Sequence, residues 1–262
     1  MPNMLITNRE YDMKTAIQLY TLREGLMENL PTILAELKAM GYDGAEIPSF
    51  ADEDVDCIID EMNKAGLEIF SLHINLADFD AWTDEKLAKY AAAGCRLMPI
   101  CWMPEEHLAG GEKYAETREK ITAFAARAAK HGISILYHNH DFDLAPLGDT
   151  TKLDVIYGDM PAHVLDAELD TCWVYTAGYD PLTYFRRYSD RCPILHLKDC
   201  VKEGGHKGFR AVGDGALDFA PIIEAARAAG TPWLCVEQDL PTEGKTAMEC
   251  ARESITYLKS LL

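Results

Sequence analysis

Ionisable side chains recur at the ends of short apolar runs along this 262-residue chain. Glu46 ends DGAEI, His73 falls late in LEIFSLHI, and His138 and His140 close ISILYHNH. Asp170 ends VLDAELD, His196 and Lys198 end ILHLK, and Glu237 falls late in WLCVEQ. Burying such groups is costly unless they are paired or bound to metal. Taken singly, each reads as a hydrogen-bonded structural residue; their convergence is what points to chemistry. His138, Asp170, His196 and Glu237 come from four consecutive runs, the fifth to the eighth. Two imidazoles and two carboxylates make a mixed N/O donor set for one divalent ion. Such a set suits Mn, Co, Zn or Fe better than Mg or Ca, which favour all-oxygen shells.

These residues meet only if the runs are strands that end on one face. Eight runs (Ala16–Tyr20, Asp43–Ile47, Leu67–Ile74, Arg96–Ile100, Ile133–His140, Val164–Asp170, Ile194–Lys198 and Trp233–Gln238) alternate with eight helical patterns. The patterns cover about 25–40, 52–65, 83–93, 113–130, 151–158, 181–189, 217–229 and 245–260. In the first, Leu26, Leu30, Ile33, Leu37 and Met40 form one helical stripe closed by Gly41. Strict alternation implies parallel strands joined by right-handed crossovers, and eight units in about 250 residues is the size of a closed barrel. The expected fold is α/β, a single (β/α)8 TIM barrel spanning 1–262. A doubly wound open sheet is the alternative, but neither GxGxxG nor GxxxxGK[ST] follows any run. In a barrel, chemistry gathers where the strands end, which is where the polar residues lie.

Composition narrows the partners. Forty-three acidic against 25 basic residues give a formal charge of −18, leaving no broad basic field for nucleic acid or an anionic membrane. The polar N-terminus lacks a signal-peptide pattern, and no apolar stretch nears the ~18–20 residues of a membrane span. The eight cysteines include no CxxC pair, which suits reduced thiols. A cytoplasmic protein is expected, with self-association left open.

Seven segments, QLYTLRE (18–24), GYDGAEI (41–47), YHNHDFD (137–143), ELDTCWVYTAGYDP (168–181), LHLKDC (195–200), VGDGALDF (212–219) and VEQD (236–239), together resemble the sugar phosphate isomerase/epimerase family with the xylose-isomerase-like barrel. The resemblance runs in order over almost the whole chain. It implies a divalent metal held at four strand ends by Glu, Asp, His and Glu, the last three falling on Asp170, His196 and Glu237. His138 stands where the first Glu is expected, a departure shared with inosose-dehydratase-like relatives. Trp173 stands where many relatives carry a histidine, so a multi-zinc endonuclease site is incomplete.

The resemblance implies a sugar isomerase or epimerase that acts on a sugar, keto-sugar or polyol through a metal-stabilised enediolate. A lyase or hydratase on keto-sugars or inososes would use the same residues; a non-catalytic sugar- or metal-binding module is the third reading. Glu237 is the expected general base, His140 the acid and Lys198 the electrostatic stabiliser. Glu46 and His73 are expected either to contact substrate hydroxyls or to satisfy each other. Arg210, in the glycine-rich loop after the seventh run, is a candidate for an anionic or polyol group, and Trp102 for stacking on a sugar face or for packing. Lys198, Lys207 and Arg210 are the basic residues grouped near the barrel mouth, so a neutral carbohydrate is as good a candidate as a phosphorylated one.

Overall fold

The computed structural model describes residues 13–49, 55–201 and 208–262. Eight parallel strands close a barrel: β1 (Lys14–Gln18), β2 (Gly44–Ile47), β3 (Glu68–Leu72), β4 (Leu97–Ile100), β5 (Ser134–His138), β6 (Asp166–Asp170), β7 (Ile194–Leu197) and β8 (Trp233–Val236). Each strand neighbours the next in sequence, and β8 returns to β1 with Lys14 opposite Trp233. Around them lie α1 (Leu30–Met40), α2 (Val55–Ala65), α3 (Asp84–Ala93), α4 (Tyr114–Ala129), α5 (Lys152–Asp159), α6 (Thr171–Thr176), α7 (Pro181–Tyr188), α8 (Phe219–Ala229) and α9 (Ala247–Leu261). The expected (β/α)8 barrel is therefore the observed one.

Two helices depart from the sequence pattern. α1 begins at Leu30, not near residue 25, because Gly25 adopts a left-handed φ of +74° and Pro31 belongs to a first turn, where its missing N–H costs nothing. Leu26 is still buried, delivered by a turn and not by the helix. α6 is an additional six-residue helix directly after β6, too short to carry a periodic stripe. The expected first residues of α2 and Lys207 lie outside the described residues.

Strand alternation sorts the barrel into two surfaces. Outward residues such as Ile17, Ala45, Leu169, Leu195, Leu234 and Val236 join the large apolar layer beneath the helices. Inward, the amino-terminal half is plugged by Ala16, Phe70, Leu136, Ile194, Trp233 and Cys235, with the Phe70 and Trp233 rings stacked at 3.9 Å. Gly44 makes room for this plug: a Cβ there would lie 2.7 Å from the Glu68 carbonyl oxygen and 3.2 Å from the Trp233 ring. One pleat further along the same inward rows stand Gln18, His138, Asp170, His196 and Glu237. The register Asp170–His196 places β6 and β7 side by side at that level, and β8 pairs alongside β7. An apolar floor thus carries a polar layer.

Candidate metal centre and active site

Local structure aims each polar residue of that layer. Asp170 ends β6 and caps α6, its Oδ1 accepting the Trp173 backbone N–H at 2.9 Å. Its Oδ2 is buried and has no hydrogen-bond partner among the described residues, and Lys198 Nζ stands off at 3.8 Å. A register shift between Ala45 and Glu46 pairs Glu46 with Ser71, whose hydroxyl donates to Glu46 Oε1. Gln18 Nε2 donates to Glu46 Oε2 at 2.8 Å.

The ligand atoms of His138, Asp170, His196 and Glu237 all lie within 4.8 Å of one another, and all four residues are buried. A divalent transition ion at ~2.0–2.2 Å from each ligand needs separations up to about 4.4 Å, so a contraction of a few tenths of an ångström suffices. The unpartnered Asp170 Oδ2 and the mixed donor set both fit such an ion. Each imidazole also turns one nitrogen to a deeper carboxylate. His138 Nδ1 meets Glu168 Oε2 at 3.0 Å while its Nε2 faces Glu237 Oε2 at 3.8 Å. His196 Nε2 meets Glu46 Oε2 at 2.8 Å while its Nδ1 faces Glu237 Oε2 at 3.3 Å.

Among the residues expected to contact substrate, the structure separates two from the cavity. Glu46 is fully buried and is not among the residues that line it; it bonds to His196, Gln18 and Ser71 and lies 3.1 Å from His73, the mutual pairing expected as the alternative. Arg210 pairs with Asp199 in a two-residue hairpin and donates to the Phe209 carbonyl at 2.9 Å; it is not among the residues that line the cavity. His73 does line the cavity, and its Nε2 lies 2.7 Å from Glu168 Oε2 and 3.1 Å from Glu46 Oε2. Trp102 lines it too, half exposed. The cavity holds about 320 Å³, with His138, His140, Lys198, Glu237 and Asp239 also in its wall.

Charge in the site is closely paired. Lys198 Nζ donates to Asp239 Oδ1 at 2.6 Å and Glu237 Oε2 at 3.1 Å, and lies 4.8 Å from the Trp173 ring centroid. Burial works against the Lys198 cation, but Asp239, Glu237 and Asp170 outweigh it and raise its pKa well above the ordinary lysine value. Burial likewise opposes Glu237 ionisation, yet Lys198 and His196 hold its carboxyl well below the usual range. Burial, then His138 and Lys198, push His140 well below the ordinary imidazole value, so it stands neutral at pH 7. His140 must therefore take up a proton before it can serve as the expected acid. Burial raises the Asp170 carboxyl to about 6.

Two residues of the site escape the sequence reading. Asp239 holds Lys198, and Glu168 is fully buried under three imidazoles. His196 Nε2 lies 3.3 Å from Glu168 Oε1. Burial would raise Glu168, but the charges of His196 and His73, with the hydrogen bond from His138, hold it well below the carboxylate range. The signal for Glu168 was the period of two: it shares a strand face with Asp170.

The model of the xylose isomerase-like TIM barrel family matches residues 34–261. An inosose dehydratase of Lacticaseibacillus casei is 29% identical over 152 residues, covering 52% of this chain and 50% of the relative. The match thus spans about half the length of that relative. A sugar phosphate isomerase/epimerase from Parabacteroides distasonis superposes with a TM-score of 0.79 at 21% identity, over 94% of this chain and 98% of the other. The IOLI protein, solved with a zinc atom, superposes at 0.68 with 14% identity, over 95% and 98% of the two chains.

Proposed function

Because the chain belongs to the xylose isomerase-like TIM barrel family, we propose that it is a divalent-metal-dependent isomerase or epimerase of a sugar, keto-sugar or related polyol. The observation that carries this reading is the convergence of four buried ligand groups within 4.8 Å at the strand ends, beside a sugar-sized cavity. His138, Asp170, His196 and Glu237 would hold the ion. An ion bound there supplies Lewis-acid stabilisation of the negative charge that develops on substrate oxygens. The zinc atom of a structural relative is consistent with the mixed donor set.

The protein's own groups supply proton transfer and positioning. Glu237 stands ionised in the cavity wall and takes the proton from the carbon next to the substrate carbonyl. Lys198, fixed by Asp239, offers fixed positive charge toward the oxygens of the resulting enediolate. Neutral His140, on the cavity wall, accepts a proton from a hydroxyl or returns one it has received. The Trp102 indole offers an apolar face to a sugar ring.

A second reading, a lyase or hydratase, is favoured by one observation. The cavity wall carries an imidazole at 138, where a second carboxylate base would allow proton return to the opposite face. Enolisation by Glu237 followed by loss of water assisted by His140 uses the same wall. The matching inosose dehydratases accord with that course.

The test is proton exchange. Metal-loaded protein incubated in heavy water with a panel of ketoses and inososes is expected to place deuterium on the α-carbon, and Glu237→Gln to abolish it. Epimer or isomer among the products supports the first reading, and a dehydrated product the second. Metal-loaded protein that exchanges no α-proton across the panel contradicts both.

A further inference from the structure

We infer that Glu168 is a positioning residue that prepares His138 as a metal ligand: it fixes which ring nitrogen carries the proton and turns the other toward the metal. The inference rests on the metal reading above and deepens it. An imidazole ligates through an unprotonated nitrogen, and the hydrogen bond made by its other nitrogen decides which one that is. Glu168 Oε2 lies 3.0 Å from His138 Nδ1, so the Nδ1 proton is donated to this carboxylate and the Nε2 lone pair is left facing Glu237. The same oxygen accepts from His73 Nε2 at 2.7 Å. Two donors thus converge on one oxygen, and full burial keeps water from competing for it.

The arrangement is asymmetric between the two histidines. His196 has its own support in Glu46 Oε2 at 2.8 Å, closer than Glu168 Oε1 at 3.3 Å. His138 has Glu168 alone as a hydrogen-bonded carboxylate within 3.5 Å among the described residues. Removing the Glu168 charge therefore affects His138 first. Outer partners of this kind typically change metal affinity by about 10–100-fold when lost.

The test combines affinity with a spectroscopic signature. Nitrogen-15 NMR of the metal-free wild-type protein is expected to show His138 as the Nδ1–H tautomer. Glu168→Gln is expected to weaken Co²⁺ binding by about 10–100-fold and to alter the Co²⁺ absorption bands, with the circular dichroism spectrum unchanged. In the His138→Glu background the same Glu168→Gln change is expected to weaken binding less than about threefold, because no imidazole at 138 remains to be oriented. An Nε2–H tautomer at His138 overturns the inference. So does Glu168→Gln with wild-type Co²⁺ affinity and bands. Wild-type protein that binds no Co²⁺, Zn²⁺ or Mn²⁺ refutes the metal reading itself, a different result from either. If Glu168→Gln fails to fold, the wild-type tautomer decides.

Discussion

Asp143 accepts the His140 backbone N–H at 2.7 Å and the Tyr137 hydroxyl at 2.8 Å while fully buried. Burial raises its carboxyl to about 7, against 3.8 for the free side chain. Between those values the folded protein holds a proton that the unfolded chain has released. This contribution to stability is complete below about pH 4 and falls as pH rises through 7. Urea unfolding of wild-type and Asp143→Asn proteins from pH 5 to pH 8 is expected to show the wild type losing ground by up to about 3 kcal/mol. A gap constant with pH contradicts it. The convergence of Asp170, His196 and Glu237 was legible because each lies at or near the end of an apolar run. Glu168 was hidden because it lies inside an apolar run, where only its spacing of two from Asp170 marks it as facing the barrel axis. Glu46 was visible, but its depth was not; the register shift that sinks it against Ser71 leaves no sequence mark.

At the scale of elements, the segment after β7 depends on one buried carboxylate. Asp199 Oδ2 accepts the N–H groups of Gly213 and Gly215 at 3.0 and 2.9 Å, and Oδ1 accepts those of Cys200 and Leu217 at 2.8 and 3.2 Å. Asp199→Ala strands these donors, and each buried orphan costs about 1–3 kcal/mol. The expected outcome is a loss of more than about 2 kcal/mol in urea unfolding, with metal content retained because none of the four ligand groups bonds to Asp199. An unchanged unfolding midpoint contradicts this role. The strands were legible because apolar runs punctuated by turns survive any change of register. Helix starts were less so: the stripe from Leu26 to Met40 is continuous, yet Gly25 and Pro31 delay the turn that begins α1. α6 is held by the Asp170 cap, a tertiary placement more than a local preference.

For the whole molecule, an ion bound at this site would couple metal binding to folding. The polar layer gathers the carboxylates of Glu46, Glu168, Asp170 and Glu237 inside a chain of charge −18, so a divalent ion would offset negative charge beyond what Lys198 and the imidazoles pair. At free metal about 100 times its Kd, binding to the folded state alone adds about 2.7 kcal/mol. Chelation is then expected to lower Tm by roughly 5–10 °C; a Tm indifferent to chelator and to added metal contradicts the coupling. Elemental analysis after reconstitution with Mn²⁺, Co²⁺ or Zn²⁺ decides whether these strand ends form one metal centre. About one ion per wild-type chain is expected, and almost none in His196→Ala or Asp170→Ala proteins whose circular dichroism spectra match wild type. Wild-type protein that retains no ion, or folded variants that retain a full equivalent, would contradict it.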